Sequence, residues 1–166
     1  MTVSIGAERT NDNALEPFLR EIAPDLLAYF TRRVWPTEDA ADCLSETLLV
    51  LWRRREDLPA NEQDHRAWAF GVARRVLANF RRGAIRRIAL TDRLRESLST
   101  SAVATGTDET ITDALAQLNE NDRELVTLIL WDGFGVAEAG AVLGLKPATA
   151  RTRFARAKAR LRQLLG

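Results

Sequence analysis

Apolar residues recur along most of this chain at intervals of three and four, the rhythm of helices with one buried face, and no segment sustains an alternation of period two. Leu15, Phe18, Leu19, Ile22, Leu26, Leu27 and Phe30 predict a helix over 16–34, broken or bent at Pro24, behind a polar and frayed start at 1–13. Trp35-Pro36-Thr37 reads as a stop and a restart, with Thr37 as the side-chain cap ahead of Glu38 and Asp39. The next helix, 38–55, is predicted to bury Leu44, Leu48, Leu51 and Trp52. Residues 57–64, with Pro59, Asn61 and Gln63, form a loop. A helix over 66–82 follows, burying Trp68 or Ala69 together with Val72, Ala73, Val76 and Phe80, and residues 86–96 leave room for a further helical turn or two. Beyond residue 108, Ile111, Ala114, Leu115 and Leu118 share a face, and Asp122 is placed to cap a helix over 123–131.

Residues 136–165 organise the rest. Val136–Leu143 is a short helix, and Gly144 stands where a left-handed residue ends one, a conformation glycine adopts at little cost. Pro147 sits at a first-turn position that needs no backbone N–H. From there Ala150, Phe154, Ala157, Leu161 and Leu164 mark one apolar face. The opposite face carries the small side chains of Ala148, Thr152, Ala155 and Ala159, flanked by Arg151, Arg153, Arg156, Lys158, Arg160 and Arg162. Small residues let a helix approach another surface closely, and guanidinium groups grip phosphates. Such a pair is a helix-turn-helix whose second helix is built for the major groove. A basic amphipathic helix also suits a solvated face or a membrane surface; the glycine turn and the placed proline favour DNA.

Composition sharpens this. The net charge of the 166 residues is only +1, yet residues 65–91 hold seven arginines and 146–166 hold seven basic residues, both without an acidic one. Two separated basic surfaces fit two contacts with one polyanion. Between them, residues 97–107 contain six Ser or Thr and one Gly, a linker composition that places a domain boundary there. Cys43 and His65 are each alone of their kind, so neither a disulfide within the chain nor a Cys/His metal cluster can be assembled. No apolar run reaches transmembrane length and the start lacks a signal-peptide pattern, so a soluble, cytoplasmic protein is expected, without membrane insertion.

Two further surfaces carry chemistry. On helix 38–55 the side opposite the leucines holds Asp39, Asp42, Glu46, Leu49 and Arg53. Charges alone suit a solvated face, but a leucine exposed among them suits a protein contact. On helix 66–82 the outward side is Arg74, Arg75, Ala78, Arg81 and Arg82, with Asn79 at its edge and Trp68, Phe70 and Phe80 on or beside it. Arginines interleaved with aromatics can hold the phosphates and stack the bases of a single strand; the competing reading places the aromatics in the core.

These residues carry a family resemblance. Ala41-Asp42-Cys43-Leu44-Ser45-Glu46-Thr47, ending in Leu51-Trp52, resembles the polymerase-binding helix of bacterial sigma factors. Arg66-Ala67-Trp68-Ala69-Phe70-Gly71-Val72-Ala73-Arg74 resembles their promoter-opening segment, and the run from Lys146 to Ala157 their upstream-element recognition helix. The short layout points to the extracytoplasmic-function (ECF) branch. Departures are Ser45 for Gln, Arg75 for Asn, Asn119 for Pro, Ala139-Gly140 for Ile-Ala, and Lys146 for a capping Ser.

The resemblance implies an all-α fold of two small helical domains, 14–90 and 109–166, joined by a flexible linker over 91–108, the second domain carrying the helix-turn-helix. It implies a sigma factor that directs core RNA polymerase to specific promoters and initiates transcription. Polymerase binding would fall to Asp39, Asp42, Glu46, Leu49 and Arg53. The minus-ten element would meet Arg66, Trp68, Arg74, Arg75, Asn79, Arg81 and Arg82, with loop 57–64 capturing a flipped base. The minus-thirty-five element would meet Thr149, Arg151, Thr152, Arg153, Arg156, Lys158, Arg160 and Arg162. Core polymerase, promoter DNA and an anti-sigma factor are the implied partners; no cofactor, metal or enzymatic activity is expected. The alternative is a helix-turn-helix repressor or activator that is not a polymerase subunit.

Overall fold

In a computed structural model that describes residues 5–94 and 109–166, every regular element is helical. The chain divides into two compact units, one within residues 1–100 and one within 101–166. The first holds α1 (Ile5–Thr31), α2 (Asp39–Arg53) and α3 (His65–Leu94); the second holds α4 (Glu109–Ala116), α5 (Glu120–Leu130), α6 (Val136–Val142) and α7 (Pro147–Leu165). The expected linker at 97–107 lies outside the described residues.

Helix α1 departs from the periodicity reading at both expected weak points. It begins at Ile5 rather than after a frayed start, and it runs unbroken through Pro17 and Pro24. A proline inside a helix costs about 3 kcal/mol. Leu15, Ile22, Leu26, Tyr29 and Phe30 are all at most 4% exposed, and burying each such side chain contributes about 1.5–3 kcal/mol. Tertiary burial therefore outweighs the two local penalties. Tyr29 joins the helices, its ring edge-on to Phe30 of α1 at 5.2 Å and to Phe70 of α3 at 5.3 Å.

The start of α2 is made by backbone, not by the expected Thr37 side chain. The Asp39 and Ala40 amides donate to the Pro36 and Thr37 carbonyls, and Glu38 occupies the capping position without a side-chain bond. The buried face is Ala40, Cys43, Thr47 and Leu51. Leu44 and Leu48 are only half-buried at its edge, and Trp52, expected in the core, is 42% exposed. Thr47 is tolerated at 0% exposure because its hydroxyl donates to the Cys43 carbonyl at 2.8 Å. Two short 3-10 turns, Arg55–Asp57 and Glu62–Asp64, lead into α3. There the Asn61 side chain accepts the Gln63 N–H at 3.1 Å and His65 Nε2 donates to the Pro59 carbonyl at 2.7 Å. Helix α3 continues well past residue 82, and its core face is Ala69, Phe70, Val72, Ala73, Val76 and Leu77, with Trp68 and Phe80 half-buried.

In the second unit Ala114, Leu115 and Leu118 are buried as expected, whereas Ile111 is 40% exposed. Helix α5 starts three residues before its expected beginning and is capped by Asn119 instead of Asp122, the Asn119 Oδ1 accepting the Asp122 N–H at 2.9 Å. Arg123 closes the end of α4: its guanidinium donates to the carbonyls of Leu115, Ala116 and Leu118 at 3.0–3.2 Å. Gly144 has φ +69°, the left-handed conformation the turn requires, and Pro147 opens α7. Leu115, Leu118, Val126 and Ala157 form a core cluster on which Phe154 and Leu161 pack.

Candidate polymerase and nucleic-acid interfaces

Three surfaces follow from this packing. On α2 the burial of Ala40, Cys43, Thr47 and Leu51 turns Asp42, Glu46, Leu49 and Arg53 outward, with Asp39 half-buried at the first turn. Leu49 is 55% exposed, so an apolar side chain does stand among carboxylates there. The exposed Trp52 widens this apolar edge, with the Arg55 guanidinium 6.0 Å from its ring. Periodicity alone assigned Trp52 to the core; the shift of the buried face onto Cys43 and Thr47 is what brings it out. Behind the surface, burial and then the Glu46, Asp39 and Asp42 carboxylates push the Cys43 thiol up to about 11.

The second surface is the start and outer side of α3. Arg75, Asn79, Arg81 and Arg82 are exposed, Arg74 is half-buried, and the Arg82 guanidinium donates to the Asn79 side-chain oxygen. Arg66 is turned inward instead: it pairs with Asp25 of α1 at 3.5 Å and lies 5.1 Å from the Phe70 ring. Phe70 is fully buried, so it belongs to the core and not to a stacking platform. Trp68 stays half-buried with a buried indole N–H that finds no acceptor among the described residues. An open cavity of about 530 Å³ adjoins the loop before α3, lined among others by Pro17, Phe18, Asp25, Glu62, His65 and Arg66. Phe18 and His65, both on its lining, meet edge-on at 5.3 Å.

The third surface is α7. Thr149, Arg151, Thr152, Arg156, Lys158, Arg160 and Arg162 are exposed, and so are the small residues Ala148, Ala155 and Ala159 between them. Arg153 differs: it is half-buried and its Nη1 lies 3.8 Å from the Asp122 carboxylate of α5. Lys146 occupies the capping position of α7 in an extended conformation, with no side-chain hydrogen bond. The outer face thus pairs a close-approach stripe with flanking cations, the arrangement that a helix needs in a groove bordered by phosphates. Among the described residues no His, Cys, Asp or Glu cluster could hold a metal ion, and no helix is long and apolar enough to cross a membrane.

Comparison with known proteins places both units. Residues 18–87 match the family described as Sigma-70 region 2, and residues 108–161 match Sigma-70, region 4. The chain is 30% identical over 153 residues to the ECF RNA polymerase sigma factor SigL of Mycobacterium tuberculosis, covering 89% of this chain and 86% of that one. It is 32% identical over 170 residues to the RNA polymerase sigma factor CarQ of Myxococcus xanthus, covering 96% and 95%. Among solved structures, the sigma factor RpoE of Bartonella quintana, crystallised with the anti-sigma factor NepR, aligns with a TM-score of 0.66 and 25% identity over 92% of this chain and 96% of that one.

Proposed function

The chain belongs to the sigma-70 family, in its ECF branch, and on that footing we propose which of its surfaces does which part of the work. As a sigma factor it directs RNA polymerase to specific promoters and starts transcription. The exposed face of α2, with Asp42, Glu46, Leu49 and Arg53 and with Asp39 at its edge, docks on core polymerase. The outer side of α3, with Arg74, Arg75, Asn79, Arg81 and Arg82, engages the opened minus-ten strand, with Arg66 and Trp68 supporting the loop that leads into it. The outer face of α7, from Thr149 to Arg162, meets the minus-thirty-five duplex. In this reading the functional domains are 14–90 and 109–166, joined by 91–108.

The observation that carries the reading is the stripe of Ala148, Thr152, Ala155 and Ala159 on α7, exposed between basic side chains while Ala150 and Ala157 on the other side are buried. A helix held by one face and bare on the other is poised for a groove. RpoE of Bartonella quintana was solved with an anti-sigma factor, and we extend that mode of control to this chain. A non-catalytic, cytoplasmic polymerase subunit fits all three surfaces. Run-off transcription with core polymerase on genomic fragments tests it: the chain is expected to add specific start sites that core polymerase lacks. Duplex binding with no new start sites would instead mark a repressor or activator.

A further inference from the structure

Asp122 sits at the start of α5, where Asn119 bonds both its backbone and its side chain. Asn119 Oδ1 accepts the Asp122 N–H at 2.9 Å, and Asn119 Nδ2 donates to Asp122 Oδ2 at 2.5 Å. The other carboxylate oxygen, Oδ1, is buried and receives no hydrogen bond among the described residues. The cation facing it is Arg153 of α7, whose Nη1 lies 3.8 Å away. The Asp122 side chain is 19% exposed and that of Arg153 is 39% exposed. The pair therefore has a dry end at the carboxylate and a wet end at the guanidinium. Arg151 and Arg156, its neighbours on the same helix, are exposed instead.

We propose that Asp122 is a positioning residue for promoter selectivity: anchored by Asn119, it holds Arg153 against α5, so that the guanidinium meets the upstream duplex in one fixed register. This rests on the assignment of α7 to the minus-thirty-five element. Two physical points support it. Arg153 cannot leave for the DNA outright without leaving the buried Asp122 Oδ1 with no cation beside it, which is unfavourable. Nor does it need to, because a planar guanidinium has five N–H donors and the carboxylate lies beside only Nη1, at 3.8 Å. The outward edge remains available for a phosphate or a base, with its direction already set. A long side chain restrained before binding loses less freedom when it binds. Selectivity then depends on a residue on α5, outside the recognition helix.

The test uses the full chain reconstituted with core polymerase and a promoter library randomised in the upstream element. D122N and R153Q are compared singly and together, with R151A and R156A as reporters of α7 itself and thermal denaturation in parallel. R153Q leaves the Asn119 cap untouched, which separates lost positioning from a weakened α5. D122N and R153Q are each expected to shrink the preference for the best upstream elements roughly fivefold, with the double variant no worse than either and melting temperatures near that of the parent. Additive effects, or profiles identical to the parent while R151A and R156A shift theirs, overturn the proposal alone. Flat responses to all four single variants overturn it together with the assignment of α7.

Discussion

Gly140 of α6 and Ala150 of α7 meet without room for a single further carbon: a Cβ on Gly140 would lie 2.6 Å from the Ala150 Cβ. The Gly140 carbonyl meanwhile accepts the Leu145 N–H at 2.8 Å, closing the turn. The helix-turn-helix is thus set by hard-sphere contact at one point. Gly140→Ala is expected to destabilise the C-terminal unit by about 1–3 kcal/mol, the usual cost of overpacking. Ala150→Gly on top of it should recover part of the loss. Chemical denaturation of the two variants checks this, and a neutral Gly140→Ala would mean that the helices can slide apart.

The exposed face of α2 makes a prediction of the opposite kind. Reversing charge at Asp42 and Glu46 together should abolish copurification with core polymerase while helicity and melting temperature stay close to the parent's, because both side chains are exposed. Trp52→Ala should weaken polymerase binding as well, which periodicity alone would not have suggested.

Variants at Phe70 and at the Arg74/Arg75 pair are expected to separate folding from promoter opening. Phe70→Ala removes a fully buried ring and is expected to cost about 3–5 kcal/mol of stability. Replacing Arg74 and Arg75 with Ala should leave stability nearly unchanged but slow open-complex formation, read with a fluorescent base in the minus-ten strand, more than it weakens duplex binding. Equal losses in both assays would remove the melting role.

On α7, Arg151→Ala should alter preference at one or two upstream positions, since a bidentate arginine–guanine pair discriminates by about 1–3 kcal/mol. Arg162→Ala, near the far end of the helix, should weaken all promoters alike and reduce the salt dependence. Library transcription at two salt concentrations distinguishes the two outcomes.

Cys43 gives a pH signature. Its thiol is raised from the ordinary 9.0 to about 11, first by burial and then by neighbouring carboxylates. A folded value above the unfolded one favours the neutral thiol in the fold. Its contribution is therefore complete below pH 9.0 and declines as pH climbs towards about 11. The urea midpoint of the parent should fall more steeply across that window than the midpoint of Cys43→Ala.

Much of this architecture could be read from spacing. The glycine of the turn, the proline at the start of α7 and the Ala150–Phe154–Ala157–Leu161 face all stand where period and backbone chemistry put them. The failures have one cause each. A proline in α1 is locally a breaker, and only the burial of Leu26, Tyr29 and Phe30 around it overrides that. Asn119 and Asp122 are both good caps three residues apart, and nothing local decides between them. An error of one position turns a helix face by about 100°, enough to move Trp52 of α2 out of the core, whereas on α3 the expected face holds and Phe70 and Leu77 widen it. Whether Arg153 points outward or towards Asp122 depends on a contact between helices far apart in sequence, which no periodicity encodes.

The two faces of α7 also bear on how such a protein changes over generations. Ala150, Phe154, Ala157 and Leu161 hold the helix in place, while Ala148, Thr152, Ala155 and Ala159 are exposed on the other side. On the proposed assignment of α7, substitutions on the outer set alter which groove edges the helix can touch without disturbing the packing that keeps it folded. Apart from Arg153, which faces Asp122 of α5, address and scaffold are therefore separable along this helix. A duplicated copy can drift towards a new set of promoters by a few exchanges of small side chains, each close to neutral for stability, before its old specificity is lost.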